Sequence, residues 1–365
     1  MRDPAACQSG RRVGEMAMSD TSPAQKNRVA WVDLAKGMTI LLVVIMHSTG
    51  GVEKYLGTEG FMHYVVAFAS TFRMPVFFAV AGLFAAKAIS KEWRPFLDGK
   101  FAHFFYFYFL WMTIQFVFKA PFFISEFGKE GTLLYYLSSF VQPFGMLWFI
   151  YLLPIYFLVL RLSAGVPMLA QFAFAVACKY ILSATGIEVV DFFSKYYVFF
   201  LVGHFGRDIW FKMAETAREQ KLASIVGLAV WVVANGAVLY FGYAQFTPVA
   251  IVMGILGFVA VIDFLAILPS RGLAQILRFC GQRSLPIYLG FFLPMGVSRL
   301  LLPKLCTVCG AGMISFLVSV IAILGAIAMY ELCKRLPLLH YLYQRPNWAR
   351  LTRKKAEKPV YLPAE

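Results

Sequence analysis

The sequence predicts an all-α, polytopic membrane protein, and three observations carry that expectation. Of its 365 residues 60% are hydrophobic and 17% aromatic, with a mean hydropathy of +0.69, far too apolar for a soluble domain of ordinary composition. Ten stretches of near membrane-spanning length follow one another, at about 30–49, 65–87, 101–118, 146–162, 168–184, 192–209, 222–242, 248–268, 285–302 and 311–332. With both termini placed in the cytoplasm, 25 of the 34 Lys and Arg residues fall on inner segments, and only Lys54, Lys119, Lys129 and Lys304 on outer ones. This is the positive-inside pattern. It accounts for the net charge of +15, so the charge needs no nucleic-acid partner to explain it.

In order, residues 1–28 are polar and read as a disordered cytoplasmic tail. The hydrophobic domain covers 29–333, and a basic cytoplasmic tail covers 334–365. The first apolar stretch is too long for a signal-peptide core and lacks a small-x-small cleavage pattern before Gly50 and Gly51, so it reads as a retained helix. The longest outer connection, 119–145, contains Pro121-Phe-Phe-Ile and Leu133-Leu-Tyr-Tyr-Leu, which suggest a short amphipathic helix at the outer interface. Six cysteines are scattered along the chain without four-ligand zinc spacing, and no metal is expected. Cys306 and Cys309 fall in an outer loop and are expected as unpaired thiols rather than a strained disulfide. No 20–50-residue repeat, Walker motif, dinucleotide-binding glycine motif or nucleophile elbow is present.

The first helix carries the most information, because it holds Asp33, Lys36 and His47 in an apolar run. At 100° per residue Lys36 and His47 lie about 20° apart around the axis, and Asp33 about 40° from His47, so the three share one stripe. Ionisable groups at membrane depth line a bundle interior or a water-filled cavity by default. Asp33 and Lys36 near the inner end also suit a plain i,i+3 pair that snorkels to the headgroups. That reading does not extend to His47, roughly 16 Å further along the helix. On the second span, Arg73 reaches a depth similar to that of His47. A neutral imidazole suits a general base, and a permanently charged guanidinium suits an oxyanion. Arg73 also suits a purely structural role, because Pro75 frees a backbone carbonyl nearby. The inner loop before the third span holds Lys91, Arg94 and Lys100, charges that mark orientation and can also hold phosphates. His63 and His340 read as surface residues, while Trp148 and its aromatic neighbours read as packing or interfacial side chains.

The Asp33-x-x-Lys36-Gly37 pattern, followed by an apolar run to His47, resembles the first helix of the acyltransferase 3 family, bacterial membrane O-acyltransferases of the fucose 4-O-acetylase-like kind. Phe72-Arg73-Met-Pro75 through Gly82 is similar to the family's second-helix segment. Leu147-Trp148-Phe149 is similar to its aromatic signature, and Gly281-Gln-Arg-Ser284-Leu-Pro286-Ile-Tyr288 to its late motif. Lys36 stands where the family usually has arginine, and Leu289-Gly290-Phe291 stand where many members continue to a histidine.

The resemblance implies transfer of a short acyl group, acetyl or succinyl-like, from acyl-CoA to a hydroxyl of a lipid-linked or exported glycan at the inner membrane. His47 and Arg73 would be catalytic, with His47 a base or a covalent acyl carrier. Asp33, Lys36, Arg94, Lys100, Trp148 and Tyr288 would bind substrate. Acyl-CoA enters as donor substrate, and no bound cofactor is implied. Two other readings stand beside the enzyme: a transporter or flippase of an anionic or lipid-linked substrate, and a structural subunit of a glycan-export complex. Cation-coupled carriers generally place Asp or Glu within the bilayer, and few acids here are confidently intramembrane.

Overall fold

The computed structural model describes residues 30–352, and among these all regular structure is helical. The expected N-terminal tail lies outside the described residues. α1 (Ala30–Leu56) is followed by α2 (Phe61–Ala69), α3 (Arg73–Gly82), α4 (Ala85–Ile89) and α5 (Trp93–Leu97). A π-helical turn, Asp98–Ala102, leads into α6 (His103–Ser138), then α7 (Trp148–Leu162), α8 (Met168–Ile181), α9 (Glu188–Phe205) and α10 (Arg207–Glu219). The described chain ends with α11 (Lys221–Tyr240), α12 (Thr247–Ile267), α13 (Leu273–Gln282), α14 (Ser284–Gly290), α15 (Phe292–Leu305) and α16 (Ala311–Arg335), then two short 3-10 turns.

Six helical segments are long and apolar enough to cross a membrane, and eight if the bent pairs α2/α3 and α14/α15 each count as one span. Of the ten expected spans, the two remaining correspond to α8 and α9. α8 has 14 residues, about 21 Å of rise against a hydrocarbon core near 30 Å. α9 carries Glu188, Asp191 and Lys195 in its first half. The lipid-facing character of the spans is clearest in α11, where Leu222, Ile225, Val226, Val230 and Val233 are exposed along one stripe. Ser224, Trp231 and Asn235 are buried on the other.

Local chemistry sets the breaks. α1 stops at Gly57, whose φ of 69° is the left-handed conformation that favours glycine. The second span breaks at Ser70–Phe72, with a bend of 41°. Pro75 just beyond lacks an amide proton to continue the helical ladder backwards. Asn235 of α11 closes the break: its Nδ2 donates to the Phe68 carbonyl at 3.0 Å, and Thr71 Oγ1 donates to its Oδ1 at 2.6 Å.

Sequence and structure part company after the third span. The helix does not end near Lys119. It continues through Pro121, turns at Gly128 (φ 70°), and a second segment runs on to Ser138. Phe116 packs on Tyr136 at 4.9 Å and Phe123 on Tyr135 at 5.0 Å between ring centroids, so the second segment folds back on the first. The expected short helix is therefore present beyond the kink at Gly128, and the aromatic contacts pack it against the first segment. Lys119 therefore sits half-buried on a helix, outside any loop. Cys306 and Cys309, expected as free thiols, form a disulfide.

Helices around α1 approach closely because glycine lines the crossings. A side chain at Gly37 would collide with the Leu277 backbone of α13, and one at Gly281 with the Asp33 carbonyl of α1. Gly82 against Phe200 and Gly203 against Ala79 do the same between α3 and α9. The first crossing holds α1, with its Lys36–His47 stripe, against α13, and the second holds α3, which begins at Arg73, against α9.

The segment after α16 also packs on the bundle. Arg345 donates to the Asp98 carbonyl at 2.8 Å and to its Oδ1 at 2.9 Å. The Leu351 amide and Thr352 hydroxyl bond the same carboxylate at 2.7 and 2.8 Å. Trp111 and Tyr106 of α6 donate to the Leu342 and Tyr341 carbonyls, both at 2.9 Å. The 336–352 strap thus braces the π-helical turn that carries Lys100.

Candidate active site

Two cavities lie along the α1 stripe. The first, about 360 Å³, is lined by Lys36 and Thr39 of α1, Lys100 of the π-helical turn, and aromatic and aliphatic side chains of α3, α6 and α7. The second, about 200 Å³, is lined by His47, Arg73, Trp148 and Tyr196 among others. Phe77, Phe149 and Tyr288 line both, so the Lys36 cavity and the His47 cavity adjoin at these side chains. The periodicity that placed Lys36 and His47 on one stripe has a physical counterpart: each opens onto one of two adjoining cavities.

Arg73 is placed by the break between α2 and α3, which starts a fresh helix at this residue. Its side chain is only 8% exposed. Its Nε and Nη1 are buried with no hydrogen-bond partner among the described residues. Buried guanidinium hydrogens without acceptors are costly, and Arg73 is among the residues that line the cavity with His47. His47 packs against the Phe291 ring at 5.8 Å between centroids. Arg73 and Lys119 lie within electrostatic reach of it. Lys119 is held among aromatic rings, 5.1 Å from the centroids of Phe144 and Phe292. An imidazole and an unpartnered guanidinium on one small cavity can together accept a proton and hold a developing oxyanion.

The wall between the cavities is braced by hydrogen bonding and stacking. Tyr288 is buried, and its hydroxyl donates to the Met146 carbonyl at 2.5 Å. Trp148 stacks on Phe192 at 4.4 Å and on Tyr196 at 5.5 Å. At the other end Lys100 lies over the Phe157 ring at 3.8 Å, and Lys36 over Phe84 at 5.5 Å. Lys36 and Lys91 both act electrostatically on Lys100, so three cations gather there.

Six of the residues singled out from the sequence therefore line one cavity or the other: Lys36, His47, Arg73, Lys100, Trp148 and Tyr288. Asp33 is buried one turn before Lys36 and lines neither. Arg94 is exposed and donates from Nε to the Leu351 carbonyl at 3.1 Å, which ties it to the C-terminal strap. Sequence reasoning missed Lys119, Phe77 and Tyr196. Lys119 was legible only by following the helix past Pro121, and two aromatics among 62 Phe, Trp and Tyr carry no distinguishing signal. Among the described residues no three His, Cys, Asp or Glu side chains gather as metal ligands.

The spans, with two adjoining cavities that each carry cationic side chains, define a multi-pass membrane protein with an internal site. The family model for the acyltransferase domain of the acyltransferase 3 type matches residues 29–331, and the chain belongs to that family. No curated protein and no solved structure matches it.

Proposed function

We propose that the protein transfers a short acyl group, acetyl or succinyl-like, from cytoplasmic acyl-CoA to a hydroxyl of a lipid-linked or exported glycan at the inner membrane. The observation that carries this reading is the pair of adjoining cavities, with lysines at one end and His47 with Arg73 at the other. Membership of an acyltransferase family supports the reaction class and does not favour the transporter. The chain spans the membrane ten times with both termini inside, α8 and α9 completing the eight spans counted by length. The positive-inside distribution supports this orientation. The Cys306–Cys309 bond fits an oxidising outer side. Reporter fusions after residues 130, 187 and 245 should therefore report the outside, and those after 95, 165 and 215 the inside. A cytoplasmic signal at 130 would break the arrangement.

In this reading Lys36 and Lys100 hold donor phosphates, while the pantetheine arm passes Phe77, Phe149 and Tyr288 towards His47. Asp33 supports Lys36 from the preceding turn, Arg94 supports the loop that bears Lys100, and Trp148 and Tyr288 shape the passage. The acceptor hydroxyl loses its proton to His47 as its oxygen attacks the thioester carbonyl carbon, and Arg73 holds the resulting oxyanion. Collapse breaks the carbon–sulfur bond, and the departing thiolate takes the proton back from His47. Purified protein supplied with labelled acyl-CoA should move label onto the glycan. Replacing Lys36 and Lys100 together by methionine should raise the donor KM by about tenfold or more, as expected for lost charge-assisted bonds. Lys36→Arg should keep most affinity. A donor KM unmoved in the double variant would remove the lysines from donor binding, and glycan movement without acyl-CoA consumption would overturn the enzyme reading.

A further inference from the structure

A third cavity, about 230 Å³, lies directly beyond Tyr196, a residue that also lines the His47 cavity. Its wall includes Lys179 of α8, Lys195 of α9, Ser70 and Thr71 from the α2/α3 break, and Gln245. It is rich in polar groups, whereas the cavity at Lys36 is largely apolar. The Lys179 side chain is 8% exposed, and its ammonium donates to the Lys195 carbonyl at 3.0 Å. Two further ammonium hydrogens remain for a ligand. Lys179 and Lys195 also act on each other electrostatically, as like charges. Among the described residues no carboxylate forms an ion pair with either. Asp191, which Lys195 feels electrostatically, already spends its oxygens on the Thr185 amide and hydroxyl and the Gly186 amide. Asp191 keeps its charge and offsets part of that of Lys195, but no ion pair among the described residues reaches the buried Lys179 ammonium, and two like charges brought together at least partly out of water are stabilised when an anion joins them. The break that supplies Ser70 and Thr71 is the same one that starts α3 at Arg73.

We infer that this cavity is the acceptor subsite, and that it takes an anionic group, carboxylate or phosphate, on the glycan. Lys179 and Lys195 bind the charge, and Ser70, Thr71 and Gln245 bond neighbouring hydroxyls. The ligand then sits one side chain, Tyr196, from the reacting centre, which holds a neighbouring sugar hydroxyl towards His47. The inference rests on the acyltransferase reading above.

The test uses the purified full-length protein, labelled acyl-CoA and glycan from the producing cells, either intact, with carboxylates reduced to alcohols, or dephosphorylated. Lys195→Gln, at a half-buried position, should raise the glycan KM about tenfold while the acyl-CoA KM stays unchanged. Lys179→Met should do the same, and Lys179→Arg should recover part of the loss. Removing the group that the lysines bind, by reduction or by dephosphorylation, should raise the wild-type glycan KM and leave little further effect of Lys195→Gln. Which treatment does so identifies carboxylate or phosphate. Transfer by the wild type with a glycan KM unaltered in Lys195→Gln overturns the subsite and leaves the enzyme reading standing. No transfer by the wild type from any glycan sinks the enzyme reading itself. An effect of Lys195→Gln that follows added phosphatidylglycerol vesicles and ignores glycan charge would mark a lipid-headgroup site and overturn the proposal.

Discussion

His47→Ala should insert and accumulate like the wild type, yet lose acyl transfer by about 10²–10⁴-fold, the usual effect of removing a positioned base. Normal insertion is expected because His47 makes no hydrogen bond to the described residues and meets the Phe291 ring only in a tilted contact at 5.8 Å between centroids. Replacing it deletes a modest contact beside an existing cavity and strands no partner. The measurement is label transfer by purified protein, paired with quantification of the protein in the membrane. Full transfer by well-expressed His47→Ala would take the chemistry away from this helix.

Arg73→Ala should be nearly as damaging, about 10²–10³-fold in kcat, because an oxyanion donor acts mainly in the transition state. The expected signature is a fall in kcat with little change in either KM. Arg73→Lys keeps the charge but loses the planar fork, and recovers only part of the rate. Because Nε and Nη1 of Arg73 have no partner among the described residues, the substitution breaks no ion pair and stability should hold. If Arg73→Ala raised KM while leaving kcat intact, the guanidinium would be a ground-state anchor for substrate and not an oxyanion donor.

What the sequence made legible follows from how local each signal is. Lys36 and His47 fall on one stripe by helical period alone, and both line the adjoining cavities. Arg73 was readable because a cation within an apolar run needs a reason to be there. Lys119 was not, because Pro121 reads as the end of a helix, whereas at membrane depth packing partners let the helix run on to Gly128. The strap was invisible for a different reason. Arg345 and Asp98 are 247 residues apart, and no periodic pattern joins them. Nothing in the basic tail or the inner loop sets either residue apart, although four hydrogen bonds converge on Asp98. The third cavity escaped because its lysines, Lys179 and Lys195, lie on different helices and count only as two charges within spans.

The glycine crossings have a consequence for how this protein can change over generations. At Gly37, Gly281, Gly82 and Gly203 the neighbouring backbone occupies the space a β-carbon would need, so hydrogen is the one substituent that fits. Drift at these four positions is closed off by geometry before selection on chemistry begins. The exposed stripe of α11, by contrast, has room for other apolar side chains. The α1/α13 and α3/α9 crossings are thus held at glycine spacing whatever changes elsewhere on the bundle.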